Sequence, residues 1–386
     1  MYFKEISLTN FRNYENQKVD FHDRVNIILG ENAQGKTNLL EALYIMSLGK
    51  SFRTAKDSEM IRFGSQMARV KTVSVKDGED LTIEIGLIRN KKSLKIDGVK
   101  KNRISDLLEN VYIVIFSPDD LKIAKDEPEK RRKFIDRELC QLKPVYYDVL
   151  SRYKKALMQR NFLLKEERID FSVLDIWDRE LAGYGAKIIA YRMSFIDKLK
   201  IISRKIHSDL TEGREELSLS YESDIPLKGS GKETEVALSV KSQAEIAELF
   251  LNILLKNRKN DIKRRTTLRG PHRDDLRIEI GGVDVRNFGS QGQQRTSALS
   301  LKLAELILIE EETGEKPVLL LDDVLSELDR TRQRQLITSF GDIQIFITAT
   351  ELSGEITSHI RDFAVFKVRK GFIVREDNIR KQTEEG

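Results

Sequence analysis

The fold of this chain is decided by residues 25–37, which read Val25-Asn26-Ile27-Ile28-Leu29-Gly30-Glu31-Asn32-Ala33-Gln34-Gly35-Lys36-Thr37. The apolar run at 25–29 predicts a buried strand, and the residues after it fit the pattern G-x-x-x-x-G-K-[S/T]. A helix is predicted from Asn38 to Leu48. A strand that enters a glycine-bearing turn and then a helix directs several backbone N–H groups at one point, where they bind phosphate oxygens. The stretch therefore predicts a nucleotide-binding phosphate loop.

Four side chains in and beyond this loop carry the predicted chemistry. Lys36 would reach the β- and γ-phosphates, and the hydroxyl group of Thr37 would ligate Mg²⁺. The strand Pro317-Val318-Leu319-Leu320-Leu321 ends in Asp322 and Asp323. Because ligands sit at the carboxyl ends of buried parallel strands, Asp322 is predicted to hold the same Mg²⁺. Asp323 is predicted to orient and deprotonate the attacking water in phosphoryl transfer.

A second anion site is predicted around Ser290, in the segment Asn287-Phe288-Gly289-Ser290-Gln291-Gly292-Gln293-Gln294-Arg295. Its glycines allow close approach of a ligand to the backbone, and the Ser290 hydroxyl can donate to an anion. A helix predicted from Thr296 to Glu312 follows, and its N-terminus adds positive potential.

Composition limits the class of protein. The chain has 386 residues, of which 40% are hydrophobic, so it can bury a sizeable core in two domains or in one large domain with an insertion. Its apolar runs are too short to span a membrane and its N-terminus has no signal-peptide pattern, which predicts a cytoplasmic protein. The single cysteine, Cys140, excludes an internal disulfide framework and a cysteine-based metal cluster.

The net charge of +5, from 67 basic and 62 acidic residues, does not by itself require a polyanionic partner. Local clusters of basic residues are the stronger signal, since each can contact phosphates or form a solvated face. These clusters are Lys91-Lys92, Lys100-Lys101-Asn102-Arg103, Lys130-Arg131-Arg132-Lys133, Arg258-Lys259 and Lys263-Arg264-Arg265.

The order of elements predicts an α/β fold with an insertion. Strands are predicted first, then long amphipathic helices, then alternating strands and helices that complete the sheet. Gly183 and Gly185 are expected to interrupt the longest helix, Val173–Leu210, and the loop Lys228-Gly229-Ser230-Gly231-Lys232-Glu233 is expected to be flexible. The predicted strands of the first third are Phe3–Leu8, Val25–Leu29, Arg69–Val75, Leu81–Arg89, Lys92–Ile96 and Val111–Phe116.

These motifs, in this order, resemble an ABC-type ATPase head: a phosphate loop, a Ser-Gln-Gly-Gln-Gln signature, a Leu-Leu-Leu-Asp-Asp strand and a Ser326-Glu327-Leu328-Asp329 loop. Further strings are similar to those of the RecF family of bacterial recombination and repair proteins. They are Phe11-Arg12-Asn13-Tyr14, Lys50-Ser51-Phe52-Arg53-Thr54, Phe116-Ser117-Pro118-Asp119-Asp120-Leu121 and Arg269-Gly270-Pro271-His272-Arg273-Asp274-Asp275.

The resemblance implies an ABC-type P-loop ATPase head with a mixed sheet, formed by residues 1–127 and 262–386. Residues 128–261 would be an inserted α-helical arm, a short antiparallel lobe similar to a coiled coil. It also implies an ATP-dependent homodimer in which the signature loop of one subunit covers the nucleotide of the other. Ser290 and Gly292 would contact the γ-phosphate across the interface, and Arg12 would contact the phosphates within its own subunit.

The site residues implied by pattern and resemblance together fall into three groups. Lys36 and Asp323 would be catalytic, and Thr37 and Asp322 would hold Mg²⁺. The residues that would bind ATP are Arg12, Gly30, Glu31, Asn32, Ala33, Gln34, Gly35, Lys36, Thr37, Asn38, Ser290, Gly292 and Gln293.

For function, the resemblance implies a nucleoid-associated protein that acts in DNA repair, replication, recombination and the SOS response. It would bind duplex DNA and single/double-strand junctions independently of sequence, and would direct RecA onto gaps with RecR and RecO. The activity would be a weak, DNA-dependent ATPase that serves as a conformational switch.

Three departures and three alternatives accompany this reading. ABC heads usually carry Glu at Asp323, a His near the end of the strand at Ile347-Thr348-Ala349-Thr350, and a Gln near Phe116–Asp120. The main alternative is the ATPase subunit of a membrane transporter, which shares the head motifs but not the long helical insertion. A chromosome-organising ATPase of the SMC class would need a far longer arm, and a small-molecule kinase would have no use for the Ser290 loop.

Overall fold

A computed structural model describes residues 1–89, 91–227, 242–339, 341–352, 360 and 362–376. The chain forms two units, and each is described by itself. The first contains Met1–Lys122 and Ala298–Gly386, and the second contains Ile123–Ser297. The flexible loop predicted at 228–233 lies outside the described residues, and the functional boundaries proposed at 128 and 261 stay predictions.

The first unit opens with a six-stranded antiparallel sheet of order β2-β1-β4-β5-β6-β7. Along β4 and β5, buried apolar side chains alternate with more exposed ones, as expected for a sheet with one face on the core. The elements up to residue 116 are β1 (Tyr2–Phe11), β2 (Tyr14–Asp20), β3 (Val25–Leu29), α1 (Lys36–Leu48), β4 (Met67–Lys76), β5 (Glu79–Ile88), β6 (Lys91–Ile96), β7 (Val99–Lys101) and β8 (Ile113–Phe116).

The second unit consists mainly of helices that pack along one another, α3 on α4 and α4 on α5, together with a three-stranded sheet of order β11-β10-β9. The predicted helical arm is therefore present, although its longest helix is not interrupted at Gly183 and Gly185. The elements are α2 (Pro128–Leu142), α3 (Pro144–Leu163), α4 (Phe171–Leu210), β9 (Leu217–Glu222), α5 (Gln243–Arg264), β10 (Asp275–Ile280), β11 (Val283–Asp284) and α6 (Val285–Phe288). The next helix, α7 (Gln291–Thr313), begins in this unit and belongs to the first unit from Ala298 onward.

The chain then returns to the first unit and completes a second six-stranded sheet, of order β15-β14-β3-β13-β12-β8. All neighbours in it are parallel except the edge pair β14 and β15. The predicted α/β fold is confirmed. The elements are β12 (Val318–Asp322), α8 (Arg330–Thr338), β13 (Ile345–Ala349), β14 (Phe363–Arg369) and β15 (Phe372–Glu376).

The parallel sheet positions the site. β3, β12 and β8 are buried along their whole length, which matches their continuous apolar runs. Because β3, β12 and β13 are parallel, their carboxyl ends lie at one edge. Leu29, Asp322 and Ala349 end these strands, so the phosphate loop after β3 lies at the same edge as the acidic end of β12.

Candidate nucleotide-binding site

Two glycines give the phosphate loop its path between β3 and α1. A Cβ atom on Gly30 would lie 2.5 Å from the carbonyl oxygen of Val368, so only glycine fits there. Gly35 has φ of 126°, a left-handed backbone, and a Cβ atom on it would lie 2.7 Å from Asn13 Nδ2 and 2.9 Å from Tyr14 Oη. The glycines of the pattern are therefore required by close contacts within the unit.

The exposed part of the loop is Glu31, Asn32 and Ala33, and it is anchored at Gln34. The carbonyl oxygen of Gln34 accepts from Asn13 Nδ2 at 2.7 Å and from the backbone of Gly371 at 3.2 Å. Its side-chain oxygen accepts from the backbone N–H of Lys370 at 2.7 Å. The turn between β1 and β2 and the turn between β14 and β15 thus hold the loop in place.

Lys36 points into the loop that it ends. The residue is 4% exposed, and its ammonium group donates to the carbonyl oxygen of Gly30 at 2.5 Å and to that of Glu31 at 3.4 Å. A buried ammonium group that is held only by loop carbonyls can exchange these acceptors for phosphate oxygens, which carry more negative charge. The geometry fits a triphosphate in the loop.

Thr37 and Asp322 meet as the sequence predicts for a magnesium site. Thr37 Oγ1 donates to Asp322 Oδ1 at 2.8 Å, and Thr348 Oγ1 donates to the same oxygen at 3.1 Å. Burial raises the pKa of Asp322, while the two hydroxyl groups and the positive charge of Arg53 oppose that rise. A hydroxyl group and a carboxylate in contact are oxygen ligands of the kind that Mg²⁺ takes. Their roles as ligands stay predictions.

Asp323 has an unusual backbone conformation. Its φ of 52° is left-handed, and its N–H donates to Thr348 Oγ1 at 2.8 Å. Thr348 therefore fixes both acidic residues, and it occupies the strand end where ABC heads usually carry His. Sequence analysis did not single out Thr348, although the parallel register pairs it directly with Asp322. The catalytic role of Asp323 stays a prediction.

Arg12 donates to other protein groups in this structure. Its Nε and one terminal nitrogen each donate to a carboxylate oxygen of Glu41 at 2.7 Å, and the other terminal nitrogen donates to the carbonyl oxygen of Glu59 at 2.6 Å. Glu41 is fully buried. The predicted contact of Arg12 with phosphates stays a prediction, and each of its two terminal nitrogens has a second N–H for it.

Arg53 and Asn38 were treated differently by sequence analysis. Asn38 was assigned to the nucleotide site through its place after Thr37, whereas Arg53 was noted only within a family string. The structure joins them, because Arg53 donates to Asn38 Oδ1 at 2.7 Å. This contact places the guanidinium group of Arg53 beside the start of α1, next to the residues assigned to the site.

The signature loop lies in the second unit and begins α7. Ser290 Oγ accepts from the backbone N–H of Gln293 at 3.2 Å, and Gln293 Oε1 accepts from the N–H of Ser290 at 3.0 Å. This reciprocal pair is a capping box, so Ser290 caps α7, which begins at Gln291 rather than at the predicted Thr296. Ser290 is exposed, and the Gly292 carbonyl accepts from Thr296 Oγ1 at 2.9 Å. An exposed hydroxyl group at a helix N-terminus is suited to an anion.

Known proteins resemble this chain over almost its whole length. The family model described as RecF/RecN/SMC N terminal domain matches residues 2–372. A curated protein of Halothermothrix orenii, DNA replication and repair protein RecF, is 46% identical over 380 residues, which are 97% of this chain and 99% of that protein. The chain belongs to the RecF family. The RecF protein of Clostridioides difficile is 42% identical, over 98% of this chain and 99% of its own length.

Solved RecF structures agree with the fold. One described as the recombination mediator protein RecF-ATPrS in the RecFOR pathway has a TM-score of 0.88 and 40% identity, over 97% of this chain and 98% of that chain. An Smc head bound to the C-winged helix domain of ScpA has a TM-score of 0.55 at 16% identity, which shows a common fold alone. No helix among the described residues is both long and apolar enough to cross a membrane.

The RecF-family string at 269–275 forms a buried polar network within the second unit. His272 Nε2 lies 3.2 Å from the carbonyl oxygen of Thr267, which can only accept, so His272 Nδ1 accepts from Tyr153 Oη at 2.7 Å. Burial lowers the pKa of His272 to about 4. Burial also raises the pKa of Asp274 to about 6, and Arg192 lies 3.5 Å away as its ion-pair partner. His272 is thus a neutral residue with a structural role in this network.

Replacing His272 by asparagine should change the pH dependence of stability. Because the folded pKa of His272 is about 4 and the ordinary value is 6.5, the unfolded chain binds a proton between these values that the folded chain does not. The stability from this residue is present above pH 6.5 and is lost as pH falls towards 4. The free energy of unfolding, measured with urea, should fall between pH 7 and pH 5 by about 2 kcal/mol less in His272→Asn than in the wild type.

Asp274 contributes equally to both proteins in this comparison, so its opposite effect cancels in the difference. Parallel stability curves for wild type and variant between pH 7 and pH 5 would show that His272 is protonated in the folded protein.

Proposed function

We propose that this chain is an ATP-dependent DNA-binding protein of recombinational repair and replication. An ATP-driven homodimer binds duplex DNA at single-strand gaps and helps RecR and RecO to load RecA, and slow hydrolysis releases it. The observation that carries the proposal is the contact of Thr37 with Asp322 beside Lys36, in a chain that is 46% identical to a RecF protein.

The residues of the first unit suit a magnesium nucleotide. The loop from Gly30 to Asn38 holds the phosphates, with Lys36 as the buried cation, and Thr37 and Asp322 hold Mg²⁺. When bound, the metal neutralises charge on the phosphate oxygens. Asp323, held by the hydroxyl group of Thr348, orients the water that attacks. The RecF structure whose description names ATP supports ATP as the nucleotide.

The signature loop supports a homodimer. Ser290 is exposed and caps α7, so its hydroxyl group and the helix N-terminus are open to an anion from another molecule. In the proposed dimer this anion is the γ-phosphate held by the partner, which Ser290, Gly292 and Gln293 cover. ATP then acts as a ligand that binds the closed dimer more tightly than the open state.

The solvent face of the antiparallel sheet supports DNA binding. Cross-strand pairs place its basic residues in rows with Glu84, which pairs with Arg69 and with Lys95. More basic than acidic charge therefore faces solvent along these rows, which suits a phosphate backbone. The basic residues of this face include Lys18, Arg69, Lys71, Lys91, Lys95 and Lys100, and the acidic residues Glu5 and Asp20 lie on the same face.

Three residues of the predicted basic clusters are engaged inside the protein. Lys92 pairs with Asp57 at 2.9 Å, Arg131 pairs with Asp275 at 2.7 Å, and Arg258 pairs with Asp178 at 2.5 Å. The side chains of Arg131 and Arg258 are 3% and 18% exposed, so neither is free for a phosphate. These three residues are therefore left out of the DNA contacts in this proposal.

Size measurement with ATP, ADP and no nucleotide, each with and without gapped DNA, tests the proposal. We expect a dimer with ATP alone, and a larger complex when gapped duplex is added. The affinity for DNA should be the same for unrelated sequences and should fall at least tenfold between about 50 and 200 mM salt.

A protein that remains monomeric in saturating magnesium ATP, or that binds DNA equally at both salt concentrations, would contradict the proposal. Co-purification with a membrane permease would instead favour the transporter alternative.

A further inference from the structure

A chain of side-chain hydrogen bonds leads from the phosphate loop to Arg53. Asn13 Nδ2 donates to the carbonyl oxygen of Gln34 at 2.7 Å, and Asn13 Oδ1 accepts from Asn38 Nδ2 at 2.8 Å. Asn38 Oδ1 then accepts from Arg53 at 2.7 Å. We call these four residues the amide relay. It joins three separate segments: the turn after β1, the loop with α1, and the segment after α1.

The relay has only one possible direction. The carbonyl oxygen of Gln34 can only accept, and the guanidinium group of Arg53 can only donate. Asn13 must therefore present its Nδ2 to Gln34, which leaves its oxygen for Asn38. Asn38 in turn must present its oxygen to Arg53. The Gln34 carbonyl and the Arg53 guanidinium group thus fix the orientations of the two side-chain amides between them. Reversing either amide would break two hydrogen bonds.

The surrounding backbone is built around Asn13. A Cβ atom on Gly35 would lie 2.7 Å from Asn13 Nδ2, and one on Gly371 would lie 2.4 Å from the carbonyl oxygen of Asn13. Both glycines have positive φ. Asn13 therefore fills a space that two left-handed glycines leave open, and its side chain cannot shift far without losing contact with the loop.

Arg53 remains available at the far end of the relay. Glu41, the nearest buried carboxylate, accepts two bonds from Arg12 and one from Ser51, and it lies 3.7 Å from Arg53. The side chain of Arg53 is 43% exposed. Its hydrogen bond to Asn38, the residue after Thr37, places its guanidinium group beside the start of α1. Arg12 thus satisfies Glu41, and Arg53 keeps donors for another anion.

We propose that Asn13 and Asn38 are positioning residues. They hold the guanidinium group of Arg53 towards the phosphates, and they make its position depend on that of the phosphate loop. This inference rests on the proposed binding of ATP in that loop, and it concerns how residues outside the loop respond to it. A displacement of the Gln34 carbonyl is passed through two amides of fixed orientation to Arg53. Asn13 touches no nucleotide and acts through Arg53.

A double-mutant cycle tests the relay. Binding of magnesium ATP is measured by calorimetry for the wild type, Asn13→Ala, Arg53→Ala and the double variant. Each single substitution should weaken binding about tenfold, because a charge-assisted contact is lost or misplaced. If Asn13 acts through Arg53, the double variant should bind no more weakly than Arg53→Ala alone. Losses that multiply to about a hundredfold would overturn the relay.

Three further variants keep the test decisive. Asn16→Ala removes an exposed asparagine of β2 and should bind ATP like the wild type. If Asn13→Ala fails to fold, Asn38→Leu takes its place in the cycle. It removes the two hydrogen bonds that the Asn38 side chain makes, to Asn13 and to Arg53, and must show the same non-additivity. Asn38→Asp keeps an acceptor for Arg53 and should bind ATP better than Asn38→Leu.

Failure of the relay differs from failure of the proposed function. Multiplicative losses in a wild type that binds ATP and dimerises would contradict the relay alone. A wild type that binds ATP with a non-additive cycle but stays monomeric would contradict the homodimer alone. A wild type that does not bind ATP would contradict both.

Discussion

The Lys36→Ala variant is expected to bind ATP about a hundredfold more weakly than the wild type, because it loses a buried, charged donor to the phosphates. Calorimetric titration with magnesium ATP measures the effect directly. The folded state should change little, since the ammonium group is held only by the carbonyl oxygens of Gly30 and Glu31.

The control is Lys18→Ala, which removes an exposed lysine that pairs with Glu5 on the antiparallel sheet. It should bind ATP like the wild type. An affinity of Lys36→Ala within about threefold of the wild type would mean that this loop does not hold the phosphates.

Mixing Lys36→Ala with Ser290→Arg is expected to restore ATP hydrolysis that neither variant shows alone. Arginine at 290 removes the capping hydroxyl and places a bulky cation where the partner's phosphate would lie. In a twofold dimer, a mixed pair has one intact composite site, with Lys36 from one protomer and Ser290 from the other. With random pairing of equal amounts, about a quarter of the wild-type activity should return.

The matched control for this experiment is a mixture of Lys36→Ala with Asp322→Asn. Both changes lie on the phosphate-loop side of the site, so each composite site in the mixed dimer keeps one defect and activity should stay absent. Recovery in the control mixture, or no recovery with Ser290→Arg, would contradict sharing of the site between two copies.

Sequence analysis succeeded best for buried parallel strands. The predicted bounds of β3 are those observed, because a strand buried on both faces is a continuous apolar run that a glycine residue ends. β2 was missed because only Tyr14 and Val19 are buried in its seven residues. It is an edge strand with one neighbour, so solvent satisfies its polar side chains and no apolar pattern is required.

The prediction that the long helix is interrupted was wrong, because packing between helices outweighs the cost of its glycines. α4 continues for 40 residues through Gly183 and Gly185. Two glycines in a helix cost about 2 kcal/mol in propensity, which packing against α3 and α5 can exceed. A Cβ atom on Gly185 would lie 2.5 Å from the Phe250 ring, so this glycine allows the close helix contact.

Some residues of the candidate site can be predicted from a local sequence pattern, and others cannot. Lys36, Thr37 and Asp322 follow from local patterns, since the chemistry of a phosphate loop fixes both residue type and spacing. Thr348 and Asn13 carry no local pattern. Their contacts arise from strand register and from a turn beside the loop, and both depend on chain pairing that a single segment does not encode.

β3 is synthesised long before the two strands that pair with it. Its neighbours on the two sides are β13 and β14, and both are translated only after Gln344 has been added to the chain. A nascent chain that has completed the long helices still carries β3 with both hydrogen-bonding edges open, a state prone to aggregation. The sheet around Val25–Leu29 can therefore close only when residues 345–369 are available, and until then both edges of β3 can pair with strands of other chains.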